Sequence, residues 1–460
     1  MSALRKHLGR LEADGDLLSI AEWVHWDEEA AAVAGEALRG SQRALRFTST
    51  PGVVEFASGV YAGRSGIERR EHRPWCRIAT GIGIEGDGYV GLLDTLSEQT
   101  KRELDDVLFR EPAADVCEGI DLYSLGLPTV AASGPQLVGL GLLAVEREGR
   151  TSWAPVRGTI RRRSELRLSV PRSFAKWCGD GQPASVCLGV GAPALLAALQ
   201  GWTLDRTDPE VPARAAALGT RAMAGVDGRV VPASTEVRVD GSLRPADPPV
   251  GPLATWERGC ETAAISLDAG AVALREDPVV PFVPLGAPLT DDVHLTGLVE
   301  AAALYRRING YWGVAPVSWV RLPAESRLGL CLVSSEILYS GFDWQLANAL
   351  FSFSEFFDTV LILDDDGERE DLARALDDMW VKAHPGNDWV FSEPNAPAAS
   401  APRYRRDGET GSRLYINATW DPWWDEEYIA PRVSFESSYP EEVREAALDR
   451  WDQLAGGSNE

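Results

Sequence analysis

Few side chains in this 460-residue sequence stand at spacings that suit chemistry. Asp291 and Asp292 are adjacent, and His294 follows two residues on. Two carboxylates beside an imidazole can exchange protons near neutrality or hold a cation. The same residues, just ahead of an apolar helical repeat at 298–308, also make an ordinary helix start, where carboxylates meet the positive end of the peptide dipole. Asp364-Asp365-Asp366 closes an apolar run and reads as a strand-end turn rather than a metal site. Trp420, Trp423, Trp424 and Tyr428, with Trp312 and Trp319 earlier, suit either the wall of a pocket for a flat apolar ligand or a subunit interface. Only four lysines occur, at 6, 101, 176 and 382, which leaves few candidates for Schiff-base chemistry.

Composition narrows the partners. A formal net charge of −24 argues against nucleic acid and anionic membrane, both of which attract basic surfaces. Apolar residues at 45% and charged residues at 25% fit a globular protein, and the length suits two or three domains, each with a core. The six cysteines contain no C-x-x-C pair, so neither a zinc site nor a disulfide framework is expected and the thiols are read as reduced and mostly buried. No apolar run reaches the roughly 20 residues of a membrane span, and none near Met1 has signal-peptide character. These features place the protein in the cytoplasm.

The elements that must position any site follow from periodicity. An opening helix with leucines at 4, 8 and 11 leads through Asp14-Gly15 to a strand at 17–20. A helix at 27–38, a strand at 44–47 and a helix at 97–109 complete a first α/β region, 1–120. Residues 121–300 hold short apolar runs broken by Gly, Pro and Asp, the pattern of a barrel or sandwich, with helices inserted at 193–199 and 211–218. Within it, Val230–Asp240 reads as a strand with Glu236 and Arg238 on one face, ending in a turn at Asp240-Gly241. In 301–460 strands and helices alternate, which predicts a parallel sheet with covering helices. Residues 392–413 are polar and read as a flexible loop, and an amphipathic helix at 440–454 ends the chain.

Several stretches carry a resemblance. The run VVPASTEV at 230–237 is similar to the VPASAE strand of the UbiD-like decarboxylases, which use prenylated FMN. LRKHLGRLEADGDLLSI at 4–20 resembles the opening of that family, GAPLTDDVH at 286–294 its GRLTDETH turn, VLILDDD at 360–366 its VIVVDDD strand, and SRLYINAT at 412–419 its SKLGIDAT segment. The order is unbroken from Leu4 to about Leu454. The resemblance implies an N-terminal α/β domain (1–120), a central split β-barrel of flavin-reductase-like type (121–300) and a C-terminal α/β domain with an oligomerisation helix (301–460).

The resemblance also assigns site residues. Family members hold the flavin phosphate and a divalent metal with Asn, His and Glu, and an Arg with two Glu handles the substrate and the proton. SWAPVR at 152–157 matches the Asn-x-x-x-x-Arg segment, keeping the arginine as Arg157 and placing Ser152 where the metal-binding asparagine stands. Without the resemblance, Arg157 is equally one of the arginines beside Arg161-Arg162-Arg163. No histidine occurs between His72 and His294, so the metal histidine is missing. Glu210 is the candidate for the third metal ligand, or else a helix-start carboxylate ahead of Pro212. The family's EGPFGE reads VGPLAT at 250–255 here, keeping Gly251-Pro252 and losing both glutamates, so Thr255 stands at a glutamate position and cannot deliver a proton as a carboxylic acid can, and Glu257 is the nearest substitute. Cofactor contacts fall to Ser152, Arg157, Pro232 and Arg413. Prenylated FMN with Mn2+ and K+ is the implied cofactor set, and no cofactor is the alternative.

The implied activity is decarboxylation of an unsaturated or aromatic acid by a divergent carboxy-lyase with non-standard proton-transfer and metal residues. The alternatives are a non-catalytic partner subunit and a small-molecule-binding protein that does not bind prenylated FMN. A homo-oligomer, with a hetero-complex as the other arrangement, and a small carboxylic acid are the expected partners.

Overall fold

A computed structural model describes residues 2–27, 29–63, 73–84, 88–98, 103–104, 107–110, 115–118, 121–129, 134–202, 210–247, 262–284, 289–365, 371–397, 410–421, 424, 427, 429, 433 and 438–456. Residues 1–418 form one compact unit and 419–460 a second, small one.

The chain opens with α1 (Ala3–Ala13), β1 (Leu17–Ile20), α2 (Glu29–Arg39), β2 (Ala44–Phe47), β3 (Glu55–Ser58), α3 (Cys76–Ile82), α4 (Gly88–Ser97), β4 (Leu108–Phe109) and β5 (Asp115–Glu118). Ser2 caps α1 by accepting the Arg5 amide at 3.1 Å, and Leu4, His7, Leu8 and Leu11 form its buried stripe. Among the described residues of 97–109 the expected helix is not seen. The helical turns lie earlier, in α4, and Leu108–Phe109 instead pairs in parallel with a later strand.

The middle comprises β6 (Leu137–Arg147), β7 (Arg150–Arg162), β8 (Glu165–Pro171), α5 (Arg172–Ala175), β9 (Pro183–Leu188), α6 (Ala192–Trp202), α7 (Val211–Ala217), β10 (Ala222–Val226), β11 (Arg229–Pro232), β12 (Val237–Pro245), β13 (Thr262–Leu274) and β14 (Val279–Pro281). Six of these strands, in the order β12-β9-β6-β7-β8-β13, close into an antiparallel barrel because β13 pairs back onto β12. Closure removes both sheet edges. One face of the ladder carries Leu143, Val145, Ala154, Val186, Val239 and Leu267, all buried. That face is the barrel interior, and residues alternating with it face outward.

The expected turn at Asp240-Gly241 is not made: β12 runs on to Pro245, and the register shifts there because β13 carries an extra residue, Gly270, opposite it. A Cβ on Gly241 would stand 2.1 Å from the Asp268 carbonyl oxygen, so only glycine permits this approach of the strands. Gly241→Ala should cost about 1–3 kcal/mol through overpacking. A urea midpoint unchanged from wild type would contradict that close approach.

Then follow α8 (Asp291–Tyr311), β15 (Val317–Arg321), β16 (Leu330–Ser335), α9 (Phe342–Phe353), β17 (Thr359–Leu363), α10 (Leu372–Lys382), β18 (Trp389–Pro397) and β19 (Thr410–Ala418). These strands form a sheet in the order β15-β16-β17-β19-β18, with β16, β17 and β19 parallel. The polar stretch read as a flexible loop lies partly in β18 and β19, an antiparallel pair in which Phe391 opposes Leu414 and Glu393 opposes Arg413. Polar alternation on a sheet-edge hairpin has the composition of a loop, so composition alone misreads it. One apolar cluster runs from Leu4 to Ala418. The second unit holds α11 (Glu441–Gly456).

Candidate active site on the outer face of the barrel

β7 decides what the candidate residues share. Its pairing is regular with β6 from Thr151 to Val156 and with β8 from Arg157 to Ile160, and the irregularity opposite 156–158 puts its extra residue in β6, so residues of β7 an odd number apart lie on opposite faces. Ser152 is fully buried opposite Val145 on the interior face. Arg157 lies on the outer face with Trp153, whose indole N–H donates to the Val230 carbonyl at 2.7 Å. The strand therefore separates Ser152 from Arg157.

Arg157 meets the first turn of α8. Its Nη2 donates to Asp292 Oδ2 across 135 residues of sequence, with the arginine side chain 34% exposed and the aspartate side chain 10% exposed. The other Asp292 oxygen, Oδ1, is buried without a hydrogen-bond donor. The helix places three neighbouring side chains in three directions at about 100° per residue. Asp291 Oδ1 accepts the Tyr61 and Ala62 amides at 2.5 and 2.6 Å, and burial pushes its carboxyl above the usual carboxylate range despite those bonds. Asp292 turns to the barrel. His294 is buried with Nε2 unpartnered, and burial lowers its pKa to about 4 against the attraction of Glu325. The Asp-Asp-x-His run is thus a helix start, and its members do not converge on one centre.

A second charged node anchors the same helix. Arg77 is buried and donates to both oxygens of Asp16 at 2.6 and 2.8 Å, to the Gly59 and Gln42 carbonyls at 2.7 and 2.6 Å, and to the Ala62 carbonyl. The loop 59–62 is thereby fixed by Arg77 on its carbonyls and by Asp291 on its amides. Neither Asp16 nor Arg77 stood out in the sequence, since a lone pair 61 residues apart leaves no local pattern.

The other candidates are dispersed. Glu210 is exposed and precedes α7 as its N-cap residue without a side-chain capping bond, with Pro212 in the first turn. Pro232 ends β11 and its carbonyl accepts the Thr235 hydroxyl at 2.7 Å. Arg413 belongs to β19, pairs with Glu393 at 3.1 Å and lies 5.5 Å from the Phe351 ring centroid. Thr255 and Glu257 lie outside the described residues, as do Gly251-Pro252, Asp366, Trp423 and Tyr428. Trp312 packs on Phe342 at 5.1 Å, Trp319 is buried, and Trp420 lies 6.1 Å from Trp424.

The fit to a metal-bridged flavin phosphate can be tested on these donors. Ser152 points into an aliphatic interior, the histidine is missing, and Glu210 stands at an exposed helix start. Among the described residues no group of three His, Cys, Asp or Glu could hold a metal ion. The residues present do not fit that arrangement. Among the described residues Cys178 and Cys187 are free thiols pushed up to about 12 by burial, so neither is a ready nucleophile. No described helix is long and apolar enough to cross a membrane.

Two sequence profiles match the chain: the 3-octaprenyl-4-hydroxybenzoate carboxy-lyase N-terminal domain at residues 8–93 and its C-terminal domain at 293–418. No curated protein matches the sequence. Among solved structures, the UbiD-class enzyme HmfF from Pelotomaculum thermopropionicum, in complex with FMN, is 20% identical with a TM-score of 0.77, covering 95% of this chain and 98% of its own. Vanillic acid decarboxylase from Sedimentibacter hydroxybenzoicus is 17% identical at a TM-score of 0.76, covering 99% of both chains. The apo 3,4-dihydroxybenzoic acid decarboxylase from Klebsiella pneumoniae is 16% identical at 0.77, covering 98% of this chain and 99% of its own. At these identities the structural matches establish the fold. The two profiles flank the closed barrel in the order the motifs gave, and the chain belongs to the UbiD-like family.

Proposed function

We propose that this chain is a divergent carboxy-lyase-type member of its family that binds an unsaturated or aromatic carboxylic acid through Arg157. The observation that supports this is the place of Arg157: it stands on the outer barrel face, one third exposed, already in contact with a carboxylate. A guanidinium in that setting offers charge and paired donors to a carboxylate. Loss of carbon dioxide from an acid leaves an electron pair on carbon, and one proton must reach that carbon to give the R–H product. Glu257 is the substitute donor in the stretch that matches the family's glutamate-bearing segment, where Thr255 can offer a hydrogen bond but not the proton.

A second reading, a non-catalytic partner subunit or a binding protein without prenylated FMN, is favoured by the donor set. Ser152, Glu210 and the missing histidine do not assemble the metal anchor. On either reading the expected partners are a small carboxylic acid and further copies or a related subunit, in the cytoplasm.

Protein co-expressed with a flavin prenyltransferase, with manganese and potassium supplied, should be examined by absorbance and mass spectrometry, then assayed with vanillic and 3,4-dihydroxybenzoic acids. Stoichiometric prenylated flavin with carbon dioxide release, both lost in Arg157→Gln, is the result expected of a carboxy-lyase. Colourless protein that releases no carbon dioxide would move the assignment to the second reading.

A further inference from the structure

We infer that Asp292 is an internal ligand of Arg157, whose carboxylate holds the place that a bound acid's carboxylate must take, so that binding proceeds by displacement of Asp292. The inference rests on the reading of Arg157 as the carboxylate-binding residue, and it identifies what regulates access to that residue.

The Arg77–Asp16 pair of the same fold makes the comparison. In Arg77–Asp16 both carboxylate oxygens are bonded to the guanidinium, both side chains are at most 3% exposed, and the other guanidinium donors reach backbone carbonyls. That is a fully satisfied structural pair. In Arg157–Asp292 one oxygen of the aspartate takes one guanidinium nitrogen, while the other oxygen is buried without a donor. A buried acceptor left unpaired carries a desolvation cost that a purely structural pair would be expected to remove. The exposure is also asymmetric: the arginine side chain is 34% open and the aspartate side chain 10%. A solute carboxylate can therefore approach the guanidinium from solvent, and its competitor is fixed beside it on the first turn of α8.

Because Asp292 is held in place by the helix, it competes at a high effective concentration. An incoming acid binds only to the fraction of molecules in which Arg157 is released, and its apparent affinity falls by that fraction. The arrangement disfavours weakly bound monoanions and favours acids whose remaining surface gains enough from the outer barrel face to offset the exchange. No bond forms or breaks in the displacement, and one carboxylate replaces another on the guanidinium.

Titration calorimetry of the purified full chain with benzoate tests this, using wild type, Asp292→Asn, Arg157→Gln and the double variant. Asp292→Asn should bind benzoate about tenfold more tightly than wild type or better, because the competing charge is gone. Arg157→Gln and the double variant should lose binding together. Asp292→Ser gives the same readout with a smaller side chain if the asparagine variant does not fold. Unchanged or weaker binding by both Asp292 variants, with Arg157→Gln still losing it, would overturn the displacement while leaving Arg157 as the carboxylate-binding residue. Binding that survives Arg157→Gln would overturn both.

Discussion

Asp16→Ala should destabilise the chain by about 3–5 kcal/mol, the cost of leaving a buried charge without its partner. Arg77 is 2% exposed, and among the described residues Asp16 is the carboxylate it bonds, its other acceptors being the carbonyls of Gly59, Gln42 and Ala62. Carbonyl dipoles solvate a guanidinium but do not neutralise it. Without Asp16 the charge must be hydrated inside the core or Arg77 must swing out, and either releases the 59–62 loop from one of its two anchors. The other anchor, Asp291, would then hold that loop by the Tyr61 and Ala62 amides alone. The double variant Asp16→Leu with Arg77→Met should be less damaging than Asp16→Ala, since it removes both charges and keeps apolar volume. Urea denaturation of the three proteins measures this, and Asp16→Ala within about 1 kcal/mol of wild type would show that the pair is water-accessible in solution.

Regular periodicity made most of the fold legible. The strand at Thr359–Leu363 and the strand at Ala44–Phe47 lie where five- and four-residue β-rich runs put them. Elements were misplaced where a long-range partner overrides local pattern. Leu108–Phe109 is drawn out of helix by pairing with β10, and Gly270, which has the composition of a break between apolar runs, lies inside one strand, β13, because that strand borders β12 from Ile265 to Leu274 and β8 and β5 in turn. Likewise Asp240-Gly241 has turn composition, yet barrel closure needs β12 to continue, and a bulge absorbs the mismatch.

The candidate site was legible only as residues, not as an assembly. A spacing of five on a strand always divides its members between two faces, and this was enough, once β7 was seen to be regular, to part Ser152 from Arg157. The partnership of Arg157 with Asp292 has no such local rule, because it depends on where α8 starts against the barrel. Asp292 was visible as one of two helix-start carboxylates, and nothing in the sequence said which of them would turn to the arginine.

Acidification should weaken the fold between pH 6.5 and about 4, and His7 should account for about 3 kcal/mol of that loss. Burial in the α1 stripe depresses the imidazole to about 4, with the Arg77 and Arg10 charges acting in the same direction and the Val60 carbonyl opposing. The ring stacks on Tyr61 at 5.3 Å, and its Nε2 stands 2.9 Å from the Val60 carbonyl, so Nε2 carries the proton while the buried Nδ1 has no partner. The folded pKa is lower than the unfolded one, so between the two values the unfolded chain binds a proton that the folded chain refuses. The stabilisation is therefore complete above about pH 6.5 and is lost as pH falls towards 4. His294, also lowered to about 4, adds loss over the same window, whereas the raised carboxyl of Asp291 works the other way. The difference between wild type and His7→Gln cancels both contributions. Glutamine can keep the hydrogen bond to Val60 and does not titrate, so the urea stability of wild type should fall more steeply than that of the variant on going from pH 7 to 4.5. Parallel profiles would mean that the imidazole takes up its proton in the folded chain, and that α1 does not shield it from water.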